Sequence, residues 1–226
     1  MRKTIVVLTG AGISAESGIS TFRDSDGLWN NHRIEDVATY AAWERNPELV
    51  LDFYNQRRKQ LLDVSPNSAH FALKKLEEQY DVQIITQNVD NLHERAGSTN
   101  ILHLHGELTK VRSTLDDSLV YDIGCDELKT GDKCEKGSQL RPHIVWFGEM
   151  VPAITEAGKI TEKADILIIV GTSLVVYPAA GLVHHVKPGT PVYLVDPKGT
   201  SMHLPNLTVI EDKASTGMQK ILDLLM

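Results

Sequence analysis

Paired glycines, an Asn–Asp turn and closely spaced histidines stand in this sequence where they could do chemistry on a nucleotide. Gly10-Ala11-Gly12-Ile13-Ser14-Ala15 follows an aliphatic run at residues 4–8 and opens a helical pattern. This is the dinucleotide fingerprint with alanine as the third small residue, in its required strand-to-helix context. Without side chains, Gly10 and Gly12 let the backbone approach a pyrophosphate, which the free N–H groups of the helix start would receive. A plain tight turn reads the same. Gln87, Asn88 and Asp90 follow the apolar run 82–86, at the carboxyl edge of a sheet, where α/β proteins bind ligands. Asn88 or Asp90 alone would serve equally as a helix N-cap. In an extended chain His103 and His105 share one face and Leu104 takes the other. Imidazole, with an ordinary pKa near ~6.5, suits proton transfer around neutrality; a hydrogen-bonded core histidine is the competing reading. Asp196 closes the run 192–195, where a carboxylate could hold ribose hydroxyls and disfavour a 2′-phosphate, although Asp196-Pro197 also reads as a turn. Tyr54 and Arg57 lie three apart on one face of a helical pattern that starts at Pro47. A guanidinium fork beside a hydroxyl matches a carboxylate, and a surface pair is the other reading.

Bringing these residues together takes a parallel sheet. Runs at 4–8, 82–86, 101–104, 144–147, 165–170, 192–195 and 207–210 read as strands, and 13–17, 47–63, 67–80, 154–163 and 214–225 as helices. The strands are apolar on both faces and alternate with helices, which points to an α/β fold with a helix-covered parallel sheet. Residues 18–33 read as a loop and candidate lid beside the glycine turn. Residues 107–142 are polar and glycine-punctuated, like an inserted small module. An ordinary dehydrogenase places an acidic residue at the end of a second strand about 20 residues after the glycine turn. Residues 18–80 offer no clear strand to carry one.

With 226 residues, 42% hydrophobic and 23% charged, the chain fits one globular domain with a small insert. The formal net charge of -7 gives no bulk attraction to nucleic acid or anionic membrane and would not repel a basic peptide. Neither nucleic acid nor membrane is therefore expected as a partner. Cys125 and Cys134 are the only cysteines, so a reducing, cytoplasmic setting is expected rather than a disulfide framework. The run at 5–8 is too short for a signal-peptide core, and no run approaches the ~20 apolar residues of a membrane span.

Several segments together resemble the sirtuin family. They are Gly10-Ala-Gly-Ile-Ser-Ala-Glu-Ser-Gly-Ile-Ser-Thr-Phe-Arg-Asp24, Gly27-Leu-Trp29, Thr86-Gln-Asn-Val-Asp-Asn-Leu-His-Glu-Arg-Ala-Gly97, His103-Leu-His-Gly106, Val145-Trp-Phe-Gly-Glu149 and Gly171-Thr-Ser173. The resemblance implies an NAD-dependent protein lysine deacylase of the bacterial type, which consumes NAD and releases nicotinamide and an O-acyl-ADP-ribose. It implies a Rossmann-type parallel sheet with helices on both faces, a helical insert and a small, degenerate zinc-ribbon-like module. On that pattern residues 1–226 form one catalytic domain: a large part (1–33, 82–106 and 148–226), the helical insert (34–81) and the small module (107–147).

The same resemblance assigns roles. His105 is the catalytic base, acting with Asn88. Gln87 and Asn88 hold the nicotinamide ribose, and Asp90 holds the carboxamide; Val89 stands where the family often has isoleucine. Phe22 shields the reactive sugar carbon from water, and Arg23 contacts phosphate. Gly10, Ala11, Gly12, Ser14, Glu16, Gly171, Thr172, Ser173, Asp196 and Ala214 complete the NAD-binding set. Val145, Phe147 and Gly148 wall the acyl-lysine tunnel, and residues 175–178, with Val176, form the opposite rim. Tyr54 and Arg57 resemble the branch that removes succinyl and malonyl groups, with acetyl still accepted. The family's four zinc-binding cysteines are missing: Ser113 stands where one belongs and Cys134 near another. No zinc is expected, and the module would need its own packing, with a hairpin at 129–133. A protein ADP-ribosyltransferase, a non-catalytic NAD sensor and a dehydrogenase are the rival activities.

Overall fold

The structure is a computed structural model that describes residues 2–20, 32–199, 203–204 and 206–226, and the backbone at 28–29. Strand β1 (Thr4–Thr9) leads through Gly10 into the single-turn helix α1 (Gly12–Ala15). The dipeptide strands β2 (Leu28–Trp29) and β3 (His32–Arg33) pair antiparallel. Helices α2 (Ile34–Val37), α3 (Tyr40–Arg45), α4 (Pro47–Gln60) and α5 (Ser68–Leu76) follow. Then come β4 (Asp81–Thr86), α6 (Leu92–Arg95), β5 (Ile101–His103), β6 (Gly106–Ser113), β7 (Val120–Asp122) and β8 (Leu140–Ile144). The chain closes with α7 (Ile154–Thr161), β9 (Ile166–Val170), a 3₁₀ segment (Ala179–His185), β10 (Val192–Val195), β11 (Leu207–Ile210) and α8 (Ala214–Leu225).

Six strands form one parallel sheet in the order β11-β10-β9-β1-β4-β5. Counted within the sheet this is the doubly wound order 3-2-1-4-5-6, which reverses between β1 and β9 and leaves a crevice outside their carboxyl ends. Leu73 and Leu76 of α5 and Met218 and Ile221 of α8 cover Ile5, Ile84 and Ile168 on one face. On the other face, Ala157, Leu182 and Val183 pack on Val6, Leu167 and Leu194. Each such large aliphatic side chain contributes about 1.5–3 kcal/mol by leaving water. Among the described residues, no helix is long and apolar enough to cross a membrane.

The helical insert docks on the antiparallel sheet β7-β6-β8 through a third apolar cluster that includes Trp43, Val50, Phe53, Leu108, Val111 and Trp146. Helix α4 starts cleanly because Asn46 caps it, accepting from Leu49 N at 3.1 Å, and Pro47 takes the position that needs no N–H. The fully buried Arg58 of α4 donates to the Leu108 carbonyl (2.7 Å) and to Asn55 Oδ1 (2.7 Å). Asn55 also exchanges bonds with both backbone groups of Leu128 (2.9 and 3.0 Å).

Several elements end earlier than expected. Helices expected at 47–63 and 67–80 stop at Gln60 and Leu76, where the backbone tightens into i→i+3 turns such as Leu61 N to the Arg58 carbonyl (3.2 Å) and Glu77 N to the Lys74 carbonyl (3.1 Å). The strand expected at 144–147 ends its pairing at Ile144. Beyond it, Val145 N bonds to the His105 carbonyl (2.9 Å) and Phe147 N to the Ala38 carbonyl (3.0 Å). A turn closes at 129–132, with Asp132 N on the Lys129 carbonyl (3.1 Å), but the paired hairpin lies beyond it: Lys133 bridges Gln139, and Cys134 N bonds to the Ser138 carbonyl (2.9 Å). Ser113, Ser138 and Cys134 meet there: the two hydroxyls lie 2.7 Å apart and Cys134 Sγ is 3.1 Å from Ser138 Oγ.

The crevice is shaped by backbone contact. Gly12 N donates to the Gly171 carbonyl at 2.9 Å. A Cβ on Gly12 would fall 2.6 Å from Gly171 Cα, and one on Gly10 would fall 2.7 Å from Thr172 Cβ. Bare glycine at 10 and 12 is thus required by the neighbouring turn, not only by a ligand. Gly171 has φ +63°, and a Cβ on it would meet Ile13 N at 2.3 Å. Gly171→Ala is expected to destabilise the protein by about 2–3 kcal/mol, from a left-handed backbone and overpacking together, measured by urea unfolding; an unchanged midpoint would refute this account of the junction.

Candidate active site

A cleft of about 700 Å³ opens at the carboxyl ends of β1, β4, β9 and β10. It is lined by Gly10, Ala11, Gly12, Ser14 and Glu16 after β1, by Gln87, Asn88, Val89 and Asp90 after β4, and by His105. Gly171, Thr172, Ser173 and Val176 follow β9, and Asp196 and Ala214 come from the β10 and α8 ends. Tyr54, Arg57, Val145, Phe147 and Gly148 close the side towards the insert and the module. Phe22 and Arg23 lie outside the described residues.

The polar floor is a connected network. Asn88 Nδ2 donates to Ser14 Oγ (3.2 Å), and Ser14 Oγ donates to Asp90 Oδ2 (3.0 Å). Asp90 Oδ1 accepts from Leu92 N (3.1 Å), and Asn88 N donates to Thr86 Oγ1 (3.0 Å). Burial raises the Asp90 carboxyl above its ordinary value, against the hydrogen bonds from Leu92 and Ser14. Gln87 Nε2 donates to Thr172 Oγ1 at 3.1 Å, tying the β4 turn to the β9 turn. Asp196 commits one oxygen to Lys198 N (2.9 Å), so the expected turn forms within the cleft wall.

His105 Nδ1 lies 3.1 Å from the Gln87 carbonyl. A carbonyl oxygen only accepts, so Nδ1 carries the proton and Nε2 keeps the lone pair. Burial lowers the His105 pKa below 6.5, outweighing the Gln87 hydrogen bond. The imidazole is therefore a neutral base at neutral pH.

At the other end of the cleft, Tyr54 and Arg57 are almost fully buried. Trp146 Nε1 donates to the Tyr54 hydroxyl at 3.0 Å, which leaves the phenolic proton to be donated elsewhere. Burial pushes Tyr54 up to about 12, against the lowering charge of Arg57. Burial pushes Arg57 down to about 10, so it stays a cation at neutral pH. Trp146 is itself clamped. The Arg141 guanidinium sits 3.5 Å from its ring centroid, and Glu149 accepts from Trp146 N (2.8 Å) while holding Arg141 through both oxygens (2.7 and 3.0 Å).

Comparison with known proteins agrees with this geometry. The model of the Sir2 family matches residues 10–178. This chain belongs to the Sir2 family. It is 56% identical over 225 residues to a protein of Helicobacter pylori named NAD-dependent protein deacylase, covering 99% of this chain and 98% of the relative. A protein of the same name from Bacteroides thetaiotaomicron is 55% identical over 230 residues, with the same coverage. A crystal structure of a Sir2 homolog–NAD complex superposes with a TM-score of 0.88 at 42% identity, covering 99% of this chain and 89% of that one.

Sequence reasoning passed over the supports of this Sir2 site. Trp146 and Glu149 lie inside a segment quoted for the resemblance, yet no spacing rule links Trp146 to Tyr54 or Glu149 to Arg141. His103 shares a face with His105, but its partner Glu94 comes from α6 (2.7 Å). Glu16 lines the cleft, yet both its oxygens are engaged at the start of α8, by Ser215 N (2.9 Å) and Ser215 Oγ (2.8 Å). A carboxylate there satisfies an orphan N–H at the positive end of the helix. Glu16→Ala is expected to lower stability by about 1 kcal/mol and to weaken NAD binding less than Asp196→Ala does. Thermal melts with and without NAD read both, and a larger loss of NAD stabilisation in Glu16→Ala would make Glu16 a direct ligand.

Proposed function

We propose that this Sir2-family enzyme removes acyl groups from protein lysine side chains while consuming NAD. We further propose that its acyl pocket favours groups ending in a carboxylate, succinyl and malonyl, with acetyl still admitted. The observation that carries the reading is that one cleft holds both the glycine turn with His105 and the buried Tyr54–Arg57 pair.

The residues present fit NAD. The Gly10–Gly12–Gly171 junction leaves its part of the cleft floor bare of side chains, and beside it the Asn88–Ser14–Asp90 network presents both donors and acceptors. NAD supplies the bond between ribose and nicotinamide, whose cleavage drives the transfer. Gln87 and Asn88 hold the nicotinamide ribose, and Asp90 takes the carboxamide. Asp196, Thr172 and Ser173 serve the ribose and phosphate contacts, and Phe22 and Arg23 keep the shielding and phosphate roles that the family resemblance implies. Val145, Phe147, Gly148 and Val176 wall the uncharged acyl-lysine stem. At its far end a carboxylate meets the Arg57 fork and the proton of the Tyr54 hydroxyl. His105 Nε2 removes a proton from a ribose hydroxyl and so prepares it to receive the acyl group.

Arg57→Met is expected to cut desuccinylation about a hundredfold or more and deacetylation less than about fivefold, read by mass spectrometry of acetyl, malonyl and succinyl peptides with and without NAD. Equal losses on all three would remove the carboxylate preference. His105 must be neutral to act, and its pKa is lowered. The rate kcat/KM should accordingly rise with pH through an acid-side inflection below about 6.5; an acid limb centred above that value would contradict His105 as the base.

A further inference from the structure

The turn that carries Gln87, Asn88 and Asp90 is held by two histidines, and only one of them is in the cleft. His105 takes the Gln87 carbonyl; His103 takes the next one, with Nδ1 3.0 Å from the Asn88 carbonyl. The Nε2 of His103 lies 2.7 Å from Glu94 Oε1 on α6. Both partners are oxygens that only accept, so both ring nitrogens must carry protons, and His103 is an imidazolium.

We propose that His103 and Glu94 are a positioning pair for the deacylase reaction: the doubly protonated His103 ring holds the Asn88 carbonyl, and with it the turn that presents Asn88 and Asp90 to NAD. The proposal rests on the function argued above, because that function makes Asn88 and Asp90 the NAD-contacting groups. Thr86 Oγ1 already holds the Asn88 N–H at 3.0 Å, so the His103 bond fixes the second backbone group of the same residue. A residue gripped at both N–H and C=O cannot swing its Cα–Cβ bond away from the cleft without breaking a buried hydrogen bond.

The groups around His103 favour the charged ring. Burial opposes the charge, but the hydrogen bond and charge of Glu94, the Asn88 carbonyl and the charge of Glu107 on β6 outweigh it, and the pKa is raised above 6.5. Glu94 is correspondingly lowered, with burial opposing and the His103 bond and charge prevailing. Asp90 and His93 also feel the His103 charge, and Lys110 pairs with Glu107 at 2.7 Å. A raised pKa means the grip is complete below it and lost as pH rises through it. Once neutral, the ring has a single proton, and the Glu94 carboxylate keeps it on Nε2. Two lone pairs then face each other between Nδ1 and the Asn88 carbonyl.

The test is the pH dependence of kcat/KM for nicotinamide release from NAD with a succinyl-lysine peptide, from about pH 6 to 10. Wild type is expected to lose rate on the alkaline side as His103 deprotonates. In Glu94→Gln the amide can donate to a bare Nε2, so a neutral ring keeps its Nδ1 proton for Asn88 and the alkaline loss disappears. His103→Asn restores a pH-independent donor near the Nδ1 position and likewise lacks the loss. His103→Leu is about tenfold slower at pH values below the alkaline inflection of wild type and shows no alkaline loss of its own. An alkaline loss unchanged in Glu94→Gln overturns the proposal, as does wild-type kcat/KM in His103→Leu. Should His103→Leu fail to fold, Glu94→Gln still decides, because the Glu94 side chain is 39% exposed. Nitrogen NMR of the His103 ring gives a readout that needs no turnover: both nitrogens protonated near neutral pH is expected, and a neutral ring there overturns the pair. Absence of acyl-peptide turnover by wild type would instead sink the deacylase reading alone.

Discussion

Gly12 N–H reaches the Gly171 carbonyl at 2.9 Å, and that bond exists only where two adjacent strand-end turns carry no side chains between them. It joins the ends of β1 and β9, the strands at which the sheet order reverses. Because the turns touch, the part of the cleft floor between them is backbone, and backbone N–H and C=O groups are rigid, obligatory hydrogen-bonding groups. Gln87 Nε2 then crosses from the β4 turn to Thr172, so three neighbouring strand ends share one floor. Every other feature of the site is built outward from that contact.

Burial governs the electrostatics above the floor. It makes His105 a weaker proton holder and Asp90 a stronger one. The same cost of desolvating charge acts on His103, but there a carboxylate and a carbonyl overcome it. Two histidines two residues apart thus have opposite protonation preferences. One faces a single carbonyl, while the other bridges a carbonyl and a carboxylate. Deeper in the core, His93 Nε2 meets Thr9 Oγ1 at 3.0 Å and Thr9 bonds to Thr86, so the hydroxyl that holds Asn88 N is itself oriented from below.

The acyl end of the cleft depends on the small module. Trp146 directs the Tyr54 hydroxyl, Glu149 and Arg141 clamp Trp146, and Arg141 belongs to β8. Helix α4, which carries Tyr54 and Arg57, is stitched to the module through Arg58 and Asn55. The module's own turn is drawn together by Ser113, Cys134 and Ser138. Among the described residues no group of three or more His, Cys, Asp or Glu is placed to share a metal ion. The Arg141–Glu149 clamp on Trp146 and the Arg58 and Asn55 bonds to the module set the position of the Tyr54–Arg57 pair.

The parallel strands, the glycine turn and the Tyr54–Arg57 face were legible in the sequence because each is a local pattern: a short aliphatic run, a strand-to-helix turn, a three-residue helical spacing. The short helices α2 and α3 were not, because Ala42, Trp43 and Val37 gain their burial from distant partners such as Trp146 rather than from a long amphipathic repeat. The departure of 145–147 from the module sheet was equally hidden, since it answers to contacts with Ala38 and His105, and the helix ends at Gln60 and Leu76 are set by local i→i+3 turns that no apolar period marks. What the sequence determined by itself was the parallel strands, the longer helices and which chemical groups stand at their ends. Only the tertiary structure decided where the buried protons sit: on Nδ1 of His105, on both nitrogens of His103, and on the Tyr54 hydroxyl turned away from Trp146. A proton's position is dictated by whether the neighbouring atom donates or accepts, and those neighbours lie as far as 92 positions away along the chain.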